Sequence, residues 1–329
     1  MIQRMFAAVL LITMLGGVHL AAQKSLETDQ PERYFEEGLF HFERGYYGLA
    51  RQLFSQSREK APAGLGTLES ESAFYEALSA SHLDNSDAAF LLERFLEDYP
   101  QSTRLSHARF RLGELSHDQN RMKAAIKWYE KVDPYALDRD TRLRFFFKAG
   151  YAQFMEGNYT EASRLLSQAK DTPSKYWAAA NYYFAHIQYE EGKHMVALRT
   201  FERIQNEPGF KKVIPYYIAQ IYYMQGDYDK AIEYGTPLMA DATGVMRTDL
   251  ARVLGDAWFA KGEYSRAIPL LSIVVKENKT PRREDYYHLG LSYYFMGDYA
   301  QAATYLAQVT SGDDQMTQNA YYHLADCYV

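Results

Sequence analysis

A small residue returns along this chain at nearly constant intervals, and that recurrence limits what it can fold into more than any other feature. Gly38, Ala77, Gly113, Gly150, Ala185, Ala219, Gly255, Gly290 and Ala325 are spaced 34 to 39 residues apart. Twelve residues after each of the first eight stands an alanine: Ala50, Ala89, Ala125, Ala162, Ala197, Ala231, Ala267 and Ala302. A period of this length is that of a two-helix repeat. Length alone would suggest two globular domains for 329 residues, but a repeat array grows in one dimension and escapes that rule. If helix A runs up and helix B runs back, the small residue on A and the alanine near the start of B are expected to face each other where the helices cross. Little bulk there lets the backbones approach at the short end of the usual 8–10 Å range.

The connections carry their own signals. Gly157-Asn158-Tyr159, Gly226-Asp227-Tyr228, Gly262-Glu263-Tyr264 and Gly297-Asp298-Tyr299 supply a glycine for a left-handed turn, then a cap or first-turn acid for the next helix. Helix B carries apolar residues at helical spacing, as in Tyr159, Ala162, Leu165, Leu166 and Ala169. Prolines 62, 100, 134, 173 and 208 stand where repeats close. Repeats 2 and 3 have Asp84-Asn85-Ser86 and Gln119-Asn120-Arg121-Met122 in place of the glycine turn, so these turns are expected to close by other means. Gly235 and Pro237 fall inside the sixth helix B and predict a short or kinked helix, with the least regular stretch at 235 to 245; Pro269 is a milder case.

The recurring small residue, the Gly-x-Tyr turn, the alanine twelve on and the closing proline resemble the tetratricopeptide repeat family over about residues 32 to 329. The resemblance implies an all-α fold, a right-handed α-α superhelix of about eight helix pairs plus one unpaired C-terminal helix. It implies a scaffold that binds protein or peptide. The stretch from Ala88 to Val132, with Phe95-x-x-x-Tyr99-Pro100-x-Ser102 and Ala108-x-x-x-Leu112-Gly113, is similar to extracytoplasmic members that assist outer-membrane protein assembly or the Tol–Pal system. Some of those relatives are lipoproteins, and the lipobox cysteine they carry is absent here.

Composition bears on compartment and partner. Hydrophobic residues make up 47% and charged ones 24%, which is the balance of a foldable chain and not of a disordered one. A net charge of −6 supplies no broad basic field, so the counterion release that dominates nucleic-acid affinity is small and no nucleic-acid partner is expected. One cysteine, Cys327, allows no intrachain disulfide. Arg4, an apolar run from Met5 to Leu20 and Ala21-Ala22 have the layout of a secretory signal peptide over residues 1–22, with cleavage before Gln23. The run is about 16 residues, short of the ~20 that span a bilayer. The expected mature chain, residues 23–329, is periplasmic or otherwise extracytoplasmic and has no transmembrane anchor; peripheral association with an envelope complex stays open.

Phosphate loops, nucleophile elbows and His-Glu-x-x-His pairs do not occur, so no enzyme, cofactor or metal is expected. His288 and His323 occupy equivalent places in successive Tyr-Tyr-His-Leu segments and read as structural repeats. Aromatics are more informative. Three residues before each anchor stand Phe35, Phe74, Phe110, Phe147, Tyr182, Tyr216, Arg252, Tyr287 and Tyr322; four after stand Phe42, Ser81, His117, Phe154, Tyr189, Tyr223, Phe259 and Tyr294. In tetratricopeptide proteins these places line the concave groove. The resemblance thus implies a partner-binding groove built from Phe147, Tyr151, Phe154, Tyr182, His186, Tyr189, Tyr216, Gln220, Tyr223, Phe259, Tyr287 and Tyr294. It lacks the lysine and asparagine of the carboxylate-clamp subtype. Doublets such as Tyr182-Tyr183, Tyr222-Tyr223 and Tyr293-Tyr294 cannot both face one way, since successive helix residues differ by about 100°, so one member is expected in the core. The alternatives are a rigid envelope component that uses its convex face, and the repeat region of a longer protein with a catalytic domain. Asn319 to Ala325 opens a ninth helix A with no helix B after it, and the array is expected to continue past Val329.

Overall fold

A computed structural model describes residues 30–61 and 66–329; the expected signal peptide lies outside them. Among the described residues there are seventeen α-helices and no strand. They fall into two compact units, residues 1–176 and 177–329. The first holds four helix pairs: α1 (Pro31–Glu43) with α2 (Tyr47–Lys60), α3 (Gly66–His82) with α4 (Ala88–Asp98), α5 (Leu105–Asp118) with α6 (Met122–Tyr129), and α7 (Arg139–Met155) with α8 (Tyr159–Ala169). The second holds α9 (Trp177–Glu190) with α10 (His194–Ile204), α11 (Ile214–Met224) with α12 (Tyr228–Gly235), α13 (Gly244–Ala260) with α14 (Tyr264–Glu277), and α15 (Arg283–Phe295) with α16 (Tyr299–Leu306). A final helix, α17 (Gln315–Asp326), has no partner B helix among the described residues. Odd-numbered helices are the A helices and even-numbered ones the B helices. Within each unit every helix packs on its sequence neighbours, and most A helices also touch the next A helix.

The hairpin turn opens on the same backbone conformation in all eight pairs. Seven residues after each anchor the backbone enters the left-handed region: Gly45, Gly157, Gly192, Gly226, Gly262 and Gly297 at φ between 75° and 80°, Asp84 at 53° and Asn120 at 57°. The turns of repeats 2 and 3 therefore do not close by other means. They use the same conformation, because Asp and Asn tolerate it better than other side chains. Asp227 and Asp298 then cap the following helices by accepting from the amides of Lys230 and Gln301.

Two expectations about the crossing need correction. The atoms nearest the anchor glycines belong not to the alanine twelve residues on but to the residue sixteen on. A β-carbon added to Gly38 would come within 2.7 Å of Phe54, to Gly113 within 2.3 Å of Tyr129, and to Gly150, Gly255 and Gly290 within 2.8 Å of Leu166, Leu271 and Leu306. Helical side chains lean toward their own N-terminus, so a residue one turn deeper into helix B covers the anchor. In repeat 2, moreover, Ala89 is exposed and Ala88 is buried in its place. The Ala88 amide donates to Asn85 O three residues back, where Ala162 reaches Asn158 O four back. That tighter turn shortens the connection by one residue, and Leu92 and Phe95 complete the buried face. The other seven alanines are fully buried, as are Leu166 and Ala169, while Tyr159 is exposed.

The sixth repeat is short as expected: α12 ends at Gly235 and a 3-10 turn, Thr236–Leu238, follows. Gly235 has a packing reason, since a β-carbon there would meet Leu254 at 2.8 Å and Leu250 at 3.2 Å. Pro269 sits inside α14, which continues through it.

Candidate functional site

In the first unit the aromatic residues three before the anchor are largely core. Phe74 and Phe110 are each 2% exposed. Phe147 stacks on Tyr176 with centroids 5.1 Å apart and lies 6.3 Å from Tyr151, which packs on His117 at 5.6 Å; Phe154 packs on Tyr159. These three expected groove residues are half-buried rings with ring neighbours of their own. Beside them the buried Glu114 carboxylate is met at 3.3 Å by each of Arg111, Arg144 and Lys148, and Lys148 also reaches Asp118 at 3.1 Å.

In the second unit the expected residues link successive A helices. Tyr182 stacks on Phe210 at 5.0 Å and packs on Phe201 and Tyr217, and His186 and Tyr189 each lie 5.5 Å from Tyr217. The residue four after one anchor meets the residue next to the following anchor: the Tyr189 hydroxyl donates to Gln220 Oε1 at 2.7 Å, Tyr223 to Asp256 Oδ2 at 3.4 Å and Tyr294 to Asp326. Phe259 has no hydroxyl and stacks on His288 instead, 4.5 Å between centroids. Tyr216 donates to Asp249 at 3.4 Å. Burial, and then the facing carboxylates, push Tyr216 and Tyr223 up to about 12. Tyr287 is half-buried beside His288. Of the doublets, Tyr222 is the core member and Tyr223 the inter-helix one.

Within this unit a cleft of about 400 Å³ opens between α11, α13 and α15. Gln220 and Tyr223 line it, but most of its polar lining consists of charged side chains, Asp249, Arg252, Asp256, Arg282 and Glu284, with the imidazole of His288. Arg252 sits in the place that is aromatic in the other repeats. Its guanidinium forks onto Asp285 at 2.7 and 3.2 Å and reaches Asp249 at 3.0 Å. Burial works against that charge, but the two carboxylates outweigh it and hold Arg252 above its ordinary range. Asp256 accepts from Tyr223 and pairs with His288 Nδ1 at 2.7 Å. The exposed members are Met224, Arg282 and Glu284. The aromatic rows share this side of the unit; the positions six before and one after the anchor, which supply Asp249, Glu284 and Asp256, would have shown its charge. They lie three or four residues from the aromatic row and so share its side of the helix.

Comparisons with known proteins agree with the repeat geometry. Models described as tetratricopeptide repeat match residues 78–140, and again 216–234 and 286–311. No curated protein matches significantly. Among solved structures, the chain is similar to the MamA protein (18% identity, 54% of this chain and 94% of that one, TM-score 0.44). It is similar to a tetratricopeptide repeat protein from Parabacteroides merdae (17% identity, 79% and 99%, TM-score 0.43). It is also similar to YrrB, described as having an unusual peptide-binding site (15% identity, 57% and 93%, TM-score 0.46). The eight left-handed turns, the anchor crossings and the model matches over residues 78–140, 216–234 and 286–311 together identify tetratricopeptide repeats in this chain.

Proposed function

We propose that the chain is an exported, non-catalytic scaffold that holds a protein or peptide segment on the A-helix face of its second unit. The observation that carries this reading is the cleft between α11, α13 and α15, where donors and acceptors from three helices converge on one open space of about 400 Å³. Both acidic and basic groups line it, which suits the polar backbone and mixed side chains of an extended peptide more than a purely apolar ligand. The most exposed charges, Arg282 and Glu284, are free of deep packing and can steer a partner. Export is supported by the tripartite leader-like stretch of residues 1–22, and no helix among the described residues is long and apolar enough to cross a membrane.

The test is capture of partners from an extracytoplasmic extract by wild-type chain and by a double variant, Arg282→Glu with Glu284→Lys. The variant should keep its helicity and lose the specific partner. Equal recovery of the same protein by both chains would shift the binding surface elsewhere.

A further inference from the structure

The first unit contains a second cleft, on the B-helix side, that the partner-binding reading does not use. It arises from one local event. Helix α6 stops at Tyr129 after eight residues, because Pro134 cannot continue a helix and forces Asp133 into extended backbone (φ −83°, ψ 110°). The Asp133 amide is then tied to Ser106 Oγ at 3.1 Å, and its carboxylate accepts from the Tyr135 amide. The other eight-residue B helices, α12 and α16, are prolonged at once by 3-10 turns. After α6 the chain swings away instead, and a cleft of about 450 Å³ is left between the end of α6, α7 and α8.

Its floor is apolar and nearly closed: Phe145, Phe146, Val132 and Leu165 are each less than 10% exposed. Two of the buried lining residues are polar: Tyr129, 4% exposed, whose hydroxyl has no partner among the described residues, and Gln153. Gln153 is 8% exposed; one end of its amide accepts from Asn158 Nδ2 at 2.8 Å, and the other end has no protein partner among the described residues. The amide is thus oriented by one bond and open at the other, in a residue that lines the cleft. At the rim, Glu161 and Arg164 satisfy each other through two bonds of 2.6 and 2.7 Å, so that pair presents no unneutralised charge. A concave site of this size with an apolar floor, a polar rim and an oriented amide has the composition of a small-molecule pocket, and the open end of that amide gains a partner where a ligand carbonyl takes the place of water.

We propose that this cleft binds a small, uncharged, largely apolar molecule bearing a carbonyl group, with the ring or chain against Phe145, Phe146 and Leu165 and the carbonyl on the Gln153 amide. The probe is 3-phenylpropanamide, titrated into the isotope-labelled full chain, with 3-phenylpropanoate as its charged counterpart. Saturable amide shifts are expected at the cleft residues, with weaker binding of the acid. Gln153→Met should weaken the amide about three- to tenfold. Gln168→Trp, a change at an exposed rim position, should close the mouth and abolish binding without loss of helicity. No saturable shift in wild type, equal affinity for the acid, or unchanged binding by the rim variant would overturn the assignment.

Discussion

Leu166 lies over Gly150 so closely that a β-carbon on the glycine would stand 2.8 Å from Leu166 Cγ and 3.2 Å from its backbone nitrogen. The backbone atom cannot step aside as a side chain could. Gly150→Ala therefore sets an overpacking cost of ~1–3 kcal/mol against a helix-propensity gain of about 1 kcal/mol. A net loss on the order of 1 kcal/mol is expected in urea unfolding. Gly48, in α2, has nothing within 4 Å of the equivalent β-carbon. Gly48→Ala should be neutral or slightly stabilising, and a loss at both sites alike would mean that the α7–α8 crossing is not as close as described.

Ala162 is fully buried in the same pair of helices. Arginine at this place would have to displace core side chains and leave a charge without a buried partner. Overpacking alone costs ~1–3 kcal/mol, and the stranded charge adds to it. Ala162→Arg should lower the melting midpoint far more than arginine at the exposed Ala89, the alanine that the one-residue shortening of repeat 2 turns outward. Equal midpoints for the two variants would refute the register.

Tyr182 and Tyr189 have the same sequence position relative to their anchor as ligand-facing residues elsewhere in the family, but their surroundings differ. Tyr182 packs against the Phe201–Ile218 core and stacks on Phe210, whereas Tyr189 carries the hydroxyl bond to Gln220. Tyr182→Ala is expected to cost about 3–5 kcal/mol of stability, as loss of a large packed ring does. Tyr189→Phe should cost about 1 kcal/mol. Circular-dichroism melts separate the two, and a melt of Tyr182→Ala that matches wild type would return that ring to the binding surface.

Alkaline pH gives an independent check on the inter-helix tyrosines. Burial pushes Tyr99, Tyr216, Tyr222 and Tyr223 up to about 12 from the ordinary 10.0, with nearby carboxylates adding to it. Each is raised on folding, so its contribution is fully present below pH 10.0 and falls away as pH climbs toward 12. Urea midpoints should hold up to about pH 10 and then drop steeply. The phenolate absorbance of the folded chain should lag that of the urea-unfolded chain. Coincident titration curves would count against the buried hydroxyls.

How much of this was legible from residues alone depends on whether a feature repeats. Anchor, turn and buried alanine recur, so even a degenerate copy such as Asn120 could be placed by counting from Gly113. What did not recur was harder to read. The missing residue between Ala77 and Ala88 is invisible without the hydrogen bond from Ala88 to Asn85. That the atoms nearest Gly150 belong to Leu166 rather than Ala162 depends on which way a side chain leans, not on spacing. The aromatic rows share the side of the second unit that holds the cleft, but they did not show its charge. A tyrosine hydroxyl reads as a free binding group until the carboxylate opposite it, some 33 residues further on, is seen to take it.

Arg252 and Asp285 provide the sharpest test of the candidate cleft's architecture. The Asp285 side chain is only 1% exposed and that of Arg252 only 13%. Asp285 also caps α15 by accepting from the Arg282 amide at 2.8 Å. Removing Arg252 strands that carboxylate with the amide and with Arg282, whose guanidinium is 3.7 Å away and largely in water. The Arg252→Met chain is therefore expected to lose about 3–5 kcal/mol, most of it the penalty of an unpaired buried charge. Lysine should recover only part of this, since a point charge cannot reproduce the two-pronged contact. If the penalty is the stranded charge, neutralising it helps: Arg252→Met with Asp285→Asn keeps a capping oxygen, removes the charge, and should be more stable than Arg252→Met alone. Unfolding of a repeat array need not be two-state, so the four chains of the cycle are best compared by hydrogen exchange in α13 and α15. Additive effects of the two substitutions, with coupling below ~0.5 kcal/mol, would show that this ion pair does not hold the α13–α15 wall of the cleft together.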